Sequence, residues 1–346
     1  MHVCHVNLAR GFRGGERQTE LLIRALDRGG LQQTLVARYG EPLLERLADL
    51  DSLDKRPIRQ PFWLRHSQLC GDIVHAHENK AAHLASLHRR RGGPPYLITR
   101  RVDNPPGTGA ATRRMYRRAS RLVAISSAIA NILRAYDASL QTTIIPSALG
   151  ILASSPEGVA ELRRRWSGKT VIGHIGALDN AQKGQLYLIR AMHEVVRRYP
   201  DAHCVLLGSG KDEAWFRQEA QGLSCIEFAG HVHNVGDYLT AFDLFAFPSL
   251  HEGLGSSLLD AMDFSLPIVA SGVDGIPDIV HDGENGLLVP AADSEALAGA
   301  IGRLLEDTAL RQRLGEAGKK LSRNYHPDIM AASYTGIYRE LMNERD

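Results

Sequence analysis

At 346 residues, with 44% hydrophobic and 23% charged, the chain has an ordinary globular composition and is too long for one usual core, which predicts two domains. No apolar run approaches the roughly 18 residues of a membrane span, and Cys4, Cys70, Cys204 and Cys225, with no C-x-x-C pair, exclude a disulfide frame or zinc finger and read as reduced thiols of a cytoplasmic protein. The net charge of +2 hides an asymmetry: residues 1–150 hold 23 Lys and Arg against 12 Asp and Glu, net +11, and the remainder 18 against 27, net −9, so the first half suits an anionic surface and the second does not.

The N-terminal residues Val3–Leu8 read as a β-strand, with too short an apolar run for a signal peptide. Glu16–Leu26 is a helix that Gly29-Gly30 stops, and Gln33–Ala37 a strand. The text LLERLADLDSLDK reads as a helix and its end, so DLD at 49–51 is taken as solvated acids rather than a metal element. Asp72–His77 (DIVHAH) is a strand, followed by a helix near Lys80–His88. Tyr96–Thr99 and Leu122–Ile125 are strands, Ser126 or Ser127 caps a helix through Leu133, and Thr143–Pro146 closes the series. This β–α alternation predicts a parallel sheet covered on both faces. SALGILASSPEG reads as a linker, which places the first domain at 1–150.

A second alternating series occupies 151–326: strands Val171–Ile175, Cys204–Leu207, Ile226–Phe228, Leu244–Phe247, Ile268–Ala270 and Leu287–Val289, and a helix Gln185–Tyr199. The stretch 327–346 contains a helix, Pro327–Asn343, expected to pack back towards the first domain. The fold class expected is α/β, two Rossmann-like domains facing each other across a cleft where ligands of such sheets bind.

Four strand ends of the second series run into GALDNAQKG (176–184), GSG (208–210), PSLHEGLGSS (248–257) and SGVDGIPD (271–278), loops that share one edge of a parallel sheet. Gly253 and Gly255 lead into a helical run from Ser256, whose first amides and positive dipole end suit an anion. Two carboxylates flank that spot, Glu252 before the loop and Asp260 one turn into the helix. A nucleotide-sugar reconciles these charges. Its diphosphate sits on the amides at Gly255–Ser257 with Lys183 as counter-charge, while Asp260 accepts from ribose hydroxyls and Glu252 from the sugar. Hydrogen bonds to charged groups contribute roughly 1.5–3 kcal/mol each, against roughly 0.3–1 kcal/mol for a dipole at a helix end, so the acids read position on the ligand rather than repel it.

At these residues the chain resembles the retaining glycosyltransferases of family 4. Glu252 to Asp260 is similar to their E-x7-E element, and FAGHVHNVGDYLTAFDLFAFPSLHEGLG, LPIVASGVDGIPDIVHDGENGLLV, RGGERQTELLIRAL, DIVHAH and LVAISSAI match over nearly the whole chain. The resemblance implies the GT-B fold and a catalytic role for Glu252 and Lys183. It implies donor contacts from Gly14, Gly15, Lys183, Gly208, Gly210, Glu252, Gly253, Leu254, Gly255, Ser256 and Asp260. It also implies front-side attack with retention at the sugar, no metal and no cofactor beyond the nucleotide-sugar itself, with a UDP-sugar favoured. Four departures stand out: Asp260 for the second Glu, Ala177 where the family has a phosphate-binding Arg, Arg100 or Arg101 where it often has a sugar-contacting His, and PSALG for P-x-G-V-D.

In ATRRMYRRASRL, Arg113, Arg114, Arg117, Arg118 and Arg121 recur at helical spacing and line one face, a solvated surface or a site for anionic headgroups. No aromatic platform interleaves them, which disfavours nucleic acid. His77, Arg101 and this basic face (Arg113, Arg114, Arg117, Arg118) are assigned to the acceptor and membrane side. His75 and His77 share a strand face near His83, and no partner of fitting spacing makes them a metal site. The function expected is transfer of a sugar from a nucleotide donor to an anionic glycan or glycolipid acceptor in lipopolysaccharide or other envelope assembly, in the cytoplasm or peripherally on the inner face of its membrane. A sugar-nucleotide epimerase of similar architecture and a non-catalytic binding protein are the alternatives.

Overall fold

The computed structural model describes residues 1–344. The chain divides into two compact units, one built from the residues up to Ala148 together with the chain from Tyr325 onward, the other from Leu149–Asn324.

The first unit alternates β1 (His2–Asn7), α1 (Gly14–Arg28), β2 (Gln32–Arg38), α2 (Pro42–Arg46), β3 (Leu53–Ile58), a 3-10 segment (Phe62–Gln68), β4 (Ile73–Ala76) and α3 (Asn79–Arg90). It continues with β5 (Tyr96–Arg100), α4 (Ala110–Arg118), β6 (Arg121–Ala124), α5 (Ser127–Tyr136) and β7 (Thr142–Ile144). The seven strands are all parallel, in the order β3-β2-β1-β4-β5-β6-β7. The central strands β1 and β5 are buried on both faces, so their sequences show no polar–apolar alternation, and their polar residues, such as His5, Asn7 and Thr99, are buried. Helix starts are set locally: Glu78 caps α3 by accepting from Lys80 N–H at 2.6 Å and Ala81 N–H at 2.7 Å, and Ser126 caps α5.

The second unit holds α6 (Pro156–Arg165), β8 (Thr170–Ile175), α7 (Asn180–Lys183), α8 (Gln185–Arg198), β9 (Ala202–Leu207), α9 (Glu213–Glu219), β10 (Ile226–Gly230) and α10 (Val235–Ala241). Then come β11 (Leu244–Phe247), α11 (Ser256–Asp263), β12 (Ile268–Ser271), β13 (Leu287–Val289), α12 (Ser294–Glu306) and α13 (Thr308–Ser322). Its six strands are also parallel, in the order β10-β9-β8-β11-β12-β13. The chain closes on α14 (Pro327–Asn343), which packs on α1 in the first unit. There Met330, Tyr334, Ile337, Tyr338 and Leu341 are buried with Leu22, Leu26, Ile73, Leu97 and Val123.

Two sequence expectations need correction. Residues 43–55 are not a helix and its end throughout: α2 stops at Arg46 and β3 begins at Leu53. The text of β3, LDKRPI, hides a strand because charges and Pro57 are tolerated only at a sheet edge, which is where β3 lies. Asp49 and Asp51 of DLD are exposed, as expected, and Asp49 forms a surface ion pair with both terminal nitrogens of Arg24 at 2.8 and 2.9 Å. The supposed linker ends early, because Ser155 caps α6 and Pro156 opens it.

Candidate functional site

Both sheets reverse their strand order once. In the second unit the reversal falls between β8 and β11, with β9 and β10 to one side and β12 and β13 to the other. At such a switch point the loops leaving the C-terminal strand ends part and leave a crevice. The loops leaving β8 and β11 carry Lys183 and Glu252.

Those two side chains meet. Lys183 Nζ forms an ion pair with Glu252 Oε2, both largely buried, and the ammonium lies 5.4 Å from the centre of the Phe247 ring. The backbone fixes the meeting. The Gln182 carbonyl accepts from Leu250 N–H at 2.8 Å and His251 N–H at 3.2 Å, tying the Lys183 turn to the Glu252 loop. On the far side Glu252 N–H donates to Asp274 Oδ2 at 3.0 Å and its carbonyl accepts from Gly275 N–H at 3.2 Å. Lys183 is therefore neutralised by Glu252.

Three residues on, Gly255 turns the chain into α11 with φ +92°, a left-handed conformation that an L side chain adopts only under strain. No side chain caps the helix, so the amides at its start keep their donors for another acceptor. A Cβ on Gly255 would stand 3.5 Å from Glu252 Cγ, which measures how near the helix start lies to the ion pair. Gly253 is half-buried and Leu254 buried; Ser256 is the first helical residue.

Asp260 lies one turn further, buried, with Oδ1 accepting Gly150 N–H at 2.6 Å. Part of its acceptor capacity thus holds the segment entering the second unit, a structural duty that its spacing from Glu252 did not announce. Gly208 and Gly210 answer a packing need: a Cβ at either would collide with the backbone of the loop after β8, at Gly176 and Leu178 respectively. Leu178 N–H bonds Ser209 O at 3.1 Å across that contact. Both glycines therefore shape the loop edge by close approach.

Sequence reasoning passed over three polar residues here. His174 on β8 is fully buried, bonds Ala246 O through Nδ1 at 3.0 Å, and has its pKa lowered by burial to about 4. Gln185 opens α8 with Nε2 2.7 Å from Ala177 O, and its Oε1 is buried without a partner; Ser249 Oγ is likewise orphaned. The only signal was their place at strand and helix ends.

In the first unit the switch point falls between β1 and β4. Gly14 and Gly15 are the first two residues of α1 after the β1 loop, His77 follows β4, and Arg101 follows β5. His75 and His77 are joined not by His83, which is exposed, but by His5, the residue opposite His75 in the β1–β4 register. The ligand atoms of His5, His75 and His77 lie within 4.8 Å of one another. They form a hydrogen-bonded network in which His5 and His75 spend both ring nitrogens, those of His75 on Tyr338 and Thr99 at 2.7 Å each, and only His77 Nδ1 is left without a partner among the described residues. Burial lowers the pKa of His5 to about 3 and those of His75 and His77 well below the usual range. The two candidates for the family His differ sharply. Arg100 Nη1 and Nη2 are taken by Tyr116 Oη at 2.8 Å and by the Asn104 carbonyl, with Nε left over, whereas Arg101 has only the Tyr334 hydroxyl beside it.

Arg113, Arg114, Arg117 and Arg118 lie on α4 and are exposed, opposite the buried Met115 and Tyr116. Arg121 does not continue that face; it starts β6 and pairs with Glu344. Arg117 is engaged by Asp137 at 2.6 Å. Among the described residues no helix is long and apolar enough to cross a membrane. Sequence reasoning also missed exposed apolar groups beside basic ones: Trp63 and Leu64, 61% and 54% exposed, stand between Arg59 and Arg65, and Trp63 edges a groove with Lys80, Leu84 and Leu87.

A family model described as Glycosyltransferase Family 4 matches residues 12–149, and one described as Glycosyl transferases group 1 matches residues 169–307. The chain is 34% identical over 200 residues to a phosphatidyl-myo-inositol mannosyltransferase of Mycobacterium leprae, a match covering 56% of this chain and 52% of that one. It is 35% identical over 128 residues to the lipopolysaccharide core biosynthesis glycosyltransferase LpsE of Rhizobium meliloti, covering 36% of this chain and 38% of that one. The chain thus spans about half or less of these relatives in alignment. Among solved structures, Anabaena HepE in complex with UDP-glucose superposes with a TM-score of 0.84 at 20% identity, covering 98% of this chain and all of that one.

Proposed function

We propose, from the premise that this chain belongs to the glycosyltransferases of family 4 and group 1 and has their GT-B fold, that it moves a hexose from a UDP-sugar to an anionic glycolipid or glycan with retention at the transferred carbon. The observation that carries the proposal is the Lys183–Glu252 pair set beside the uncapped start of α11 at the switch point of the second sheet. A diphosphate brings two acceptors that the ammonium and the opening amides of α11 are placed to take. As it binds, Lys183 turns from Glu252 to phosphate, and Glu252, released, accepts from sugar hydroxyls. The same donors stabilise the charge that develops on the leaving diphosphate. No residue of this scheme calls for a metal or a resident cofactor. Asp260 reaches ribose with whatever acceptor capacity the Gly150 amide leaves it.

The glycolipid acceptor is supported by the names of the relatives and by the first half's net charge of +11. Arg113, Arg114 and Arg118 on α4, with Trp63 and Leu64, would draw the protein to an anionic leaflet as a peripheral protein of envelope assembly. A thermal-shift panel of UDP-, GDP- and ADP-sugars tests the donor, since the right one raises the melting temperature by mass action. Glycan product analysis with Glu252→Ala as control then tests transfer. An epimerised nucleotide-sugar without transfer, or binding without turnover, would replace the proposal with the epimerase or the binding-protein reading.

A further inference from the structure

The first unit carries a buried cation that no carboxylate pairs with among the described residues. Nε, Nη1 and Nη2 of Arg101 are all sealed from solvent, and none makes a well-aligned hydrogen bond. The Tyr334 hydroxyl, which also shares a hydrogen bond with Thr99 at 2.8 Å, is the one polar group beside the guanidinium, and Tyr338 and Glu16 act on it electrostatically from further away. A buried guanidinium with five N–H donors and a single hydroxyl beside it is costly for a fold to hold, and it points to a group that arrives later.

The surroundings say what kind of group. Arg101 Cδ lies 3.8 Å from where a Cβ on Gly15 would stand, so the side chain runs against the first turn of α1. That helix is 15 residues long, and its first amides, at Gly14 and Gly15, have no intrahelical acceptor and no side chain of their own to cover them. Guanidinium and helix start therefore offer donors to the same neighbourhood.

His77 adds an acceptor. Gln33 Nε2 donates to Ile23 O at 3.1 Å, so Gln33 Oε1 accepts from His5 Nε2–H at 3.1 Å. His5 Nδ1 must then accept from His77 Nε2–H at 3.0 Å. Burial and the charge of Arg101 keep His77 neutral. Its Nδ1, buried and without a partner, is consequently a bare lone pair waiting for a hydroxyl.

We propose that Arg101 and the opening amides of α1 bind an oxyanion, phosphate or carboxylate, on a substrate that also presents a hydroxyl to His77 Nδ1. The ligand class is a hydroxyl-bearing acid, a polyol phosphate or a hydroxycarboxylate. The guanidinium takes two oxygens of one anion in its fork, a geometry lysine does not reproduce. This inference deepens the transferase reading and rests on it for the role of the ligand.

The test uses the full chain and calorimetric titration with glycerol 1-phosphate and with glycerate, each added to the UDP-saturated protein. A phosphate site binds glycerol 1-phosphate, and Arg101→Met weakens it by about tenfold or more; a carboxylate site gives the same loss for glycerate. Arg101→Lys, which keeps the charge and loses the fork, loses affinity for the same probe, a control should Arg101→Met fold poorly. Without ligand, Arg101→Met melts higher than wild type, because a buried charge with no carboxylate partner has gone. Unchanged affinity for both probes, or a lower melting temperature for the ligand-free Arg101→Met protein, overturns the proposal. Failure of the donor reading looks different: no UDP-sugar binds, while glycerol 1-phosphate still reports on Arg101.

Discussion

Replacing Glu252 with glutamine should tighten the binding of UDP while doing little for UDP-glucose. In the unliganded protein Lys183 is held by Glu252, with their side chains only 19% and 15% exposed. At the effective dielectric near 20 that suits such sites, two unit charges about 4 Å apart attract by on the order of 4 kcal/mol. Desolvation of both groups offsets most of that, which leaves about 1–2 kcal/mol to be overcome when a diphosphate takes the ammonium. Glu252→Gln removes the competition and keeps the shape, so UDP should bind roughly 5–30-fold more tightly. UDP-glucose gains the same term and loses most of the extra strength of charge-assisted bonds to its hydroxyls, about 1–1.5 kcal/mol. Its affinity should therefore move far less. Lys183→Met is the counterpart and should weaken both ligands by about tenfold or more. Calorimetric titration of the two ligands into wild type and both variants gives the ratios directly. If Glu252→Gln binds UDP no more tightly than wild type while Lys183→Met weakens it, Glu252 does not restrain the lysine and the competition scheme is wrong. If Lys183→Met also leaves UDP unaffected, the diphosphate lies elsewhere.

Asp260→Ala should lower stability as well as donor affinity, because it strands the buried Gly150 N–H, at a cost of about 1–3 kcal/mol readable in urea denaturation. Tyr338→Phe removes the hydroxyl that satisfies His75 Nδ1 and should cost a similar amount, about 1–3 kcal/mol, with little effect on UDP binding. Stability should fall with acid: His174 and His5 have folded pKa values of about 4 and 3 against 6.5 for the ordinary imidazole, so the unfolded chain binds more protons below pH 6.5. Their contribution is complete above 6.5 and is lost as pH drops towards 4 and 3, with a slope of up to about 1.4 kcal/mol per pH unit for each. Urea midpoints that do not change between pH 7.5 and 5.5 would contradict this. Trp63→Ala should reduce sedimentation with anionic vesicles and leave sedimentation with neutral ones unchanged.

Much of the fold was readable because parallel strands buried on both faces are written in apolar runs between capped helices, and α14 was legible to its last residue, Pro327–Asn343. What escaped was where tertiary placement overrides local text. LDKRPI becomes a strand only because an edge tolerates its charges and Pro57. Glu252 and its glycines were legible as loop text because they adjoin in sequence and open a helix. Partners were not legible. Lys183 meets Glu252 across a separation of 69 residues only because β8 lies beside β11. Nothing in HVCHVN and DIVHAH says that His5 and His75 stand opposite each other until the order β1-β4 is known. Nor does ITRRVD reveal that Arg100 is held by Tyr116 and Asn104 while Arg101 has only the Tyr334 hydroxyl beside it.

The two units repeat one device with opposite electrostatic settings. Each sheet reverses its strand order once and sets a cation beside a glycine-led helix start at the edge the reversal opens. In the second unit the cation is matched by Glu252, so a ligand must displace a partner before it can bind. In the first unit Arg101 has the Tyr334 hydroxyl beside it but no carboxylate partner among the described residues, so a ligand relieves a strain already present. Deleting one positive charge should then have opposite effects on the unliganded protein. Lys183→Met strands the half-buried Glu252 carboxylate and lowers the melting temperature, whereas Arg101→Met removes an unmatched guanidinium and raises it. Melting temperatures that move in the same direction would mean that one of the two sites is set differently, and the sign of the Arg101 change would identify which.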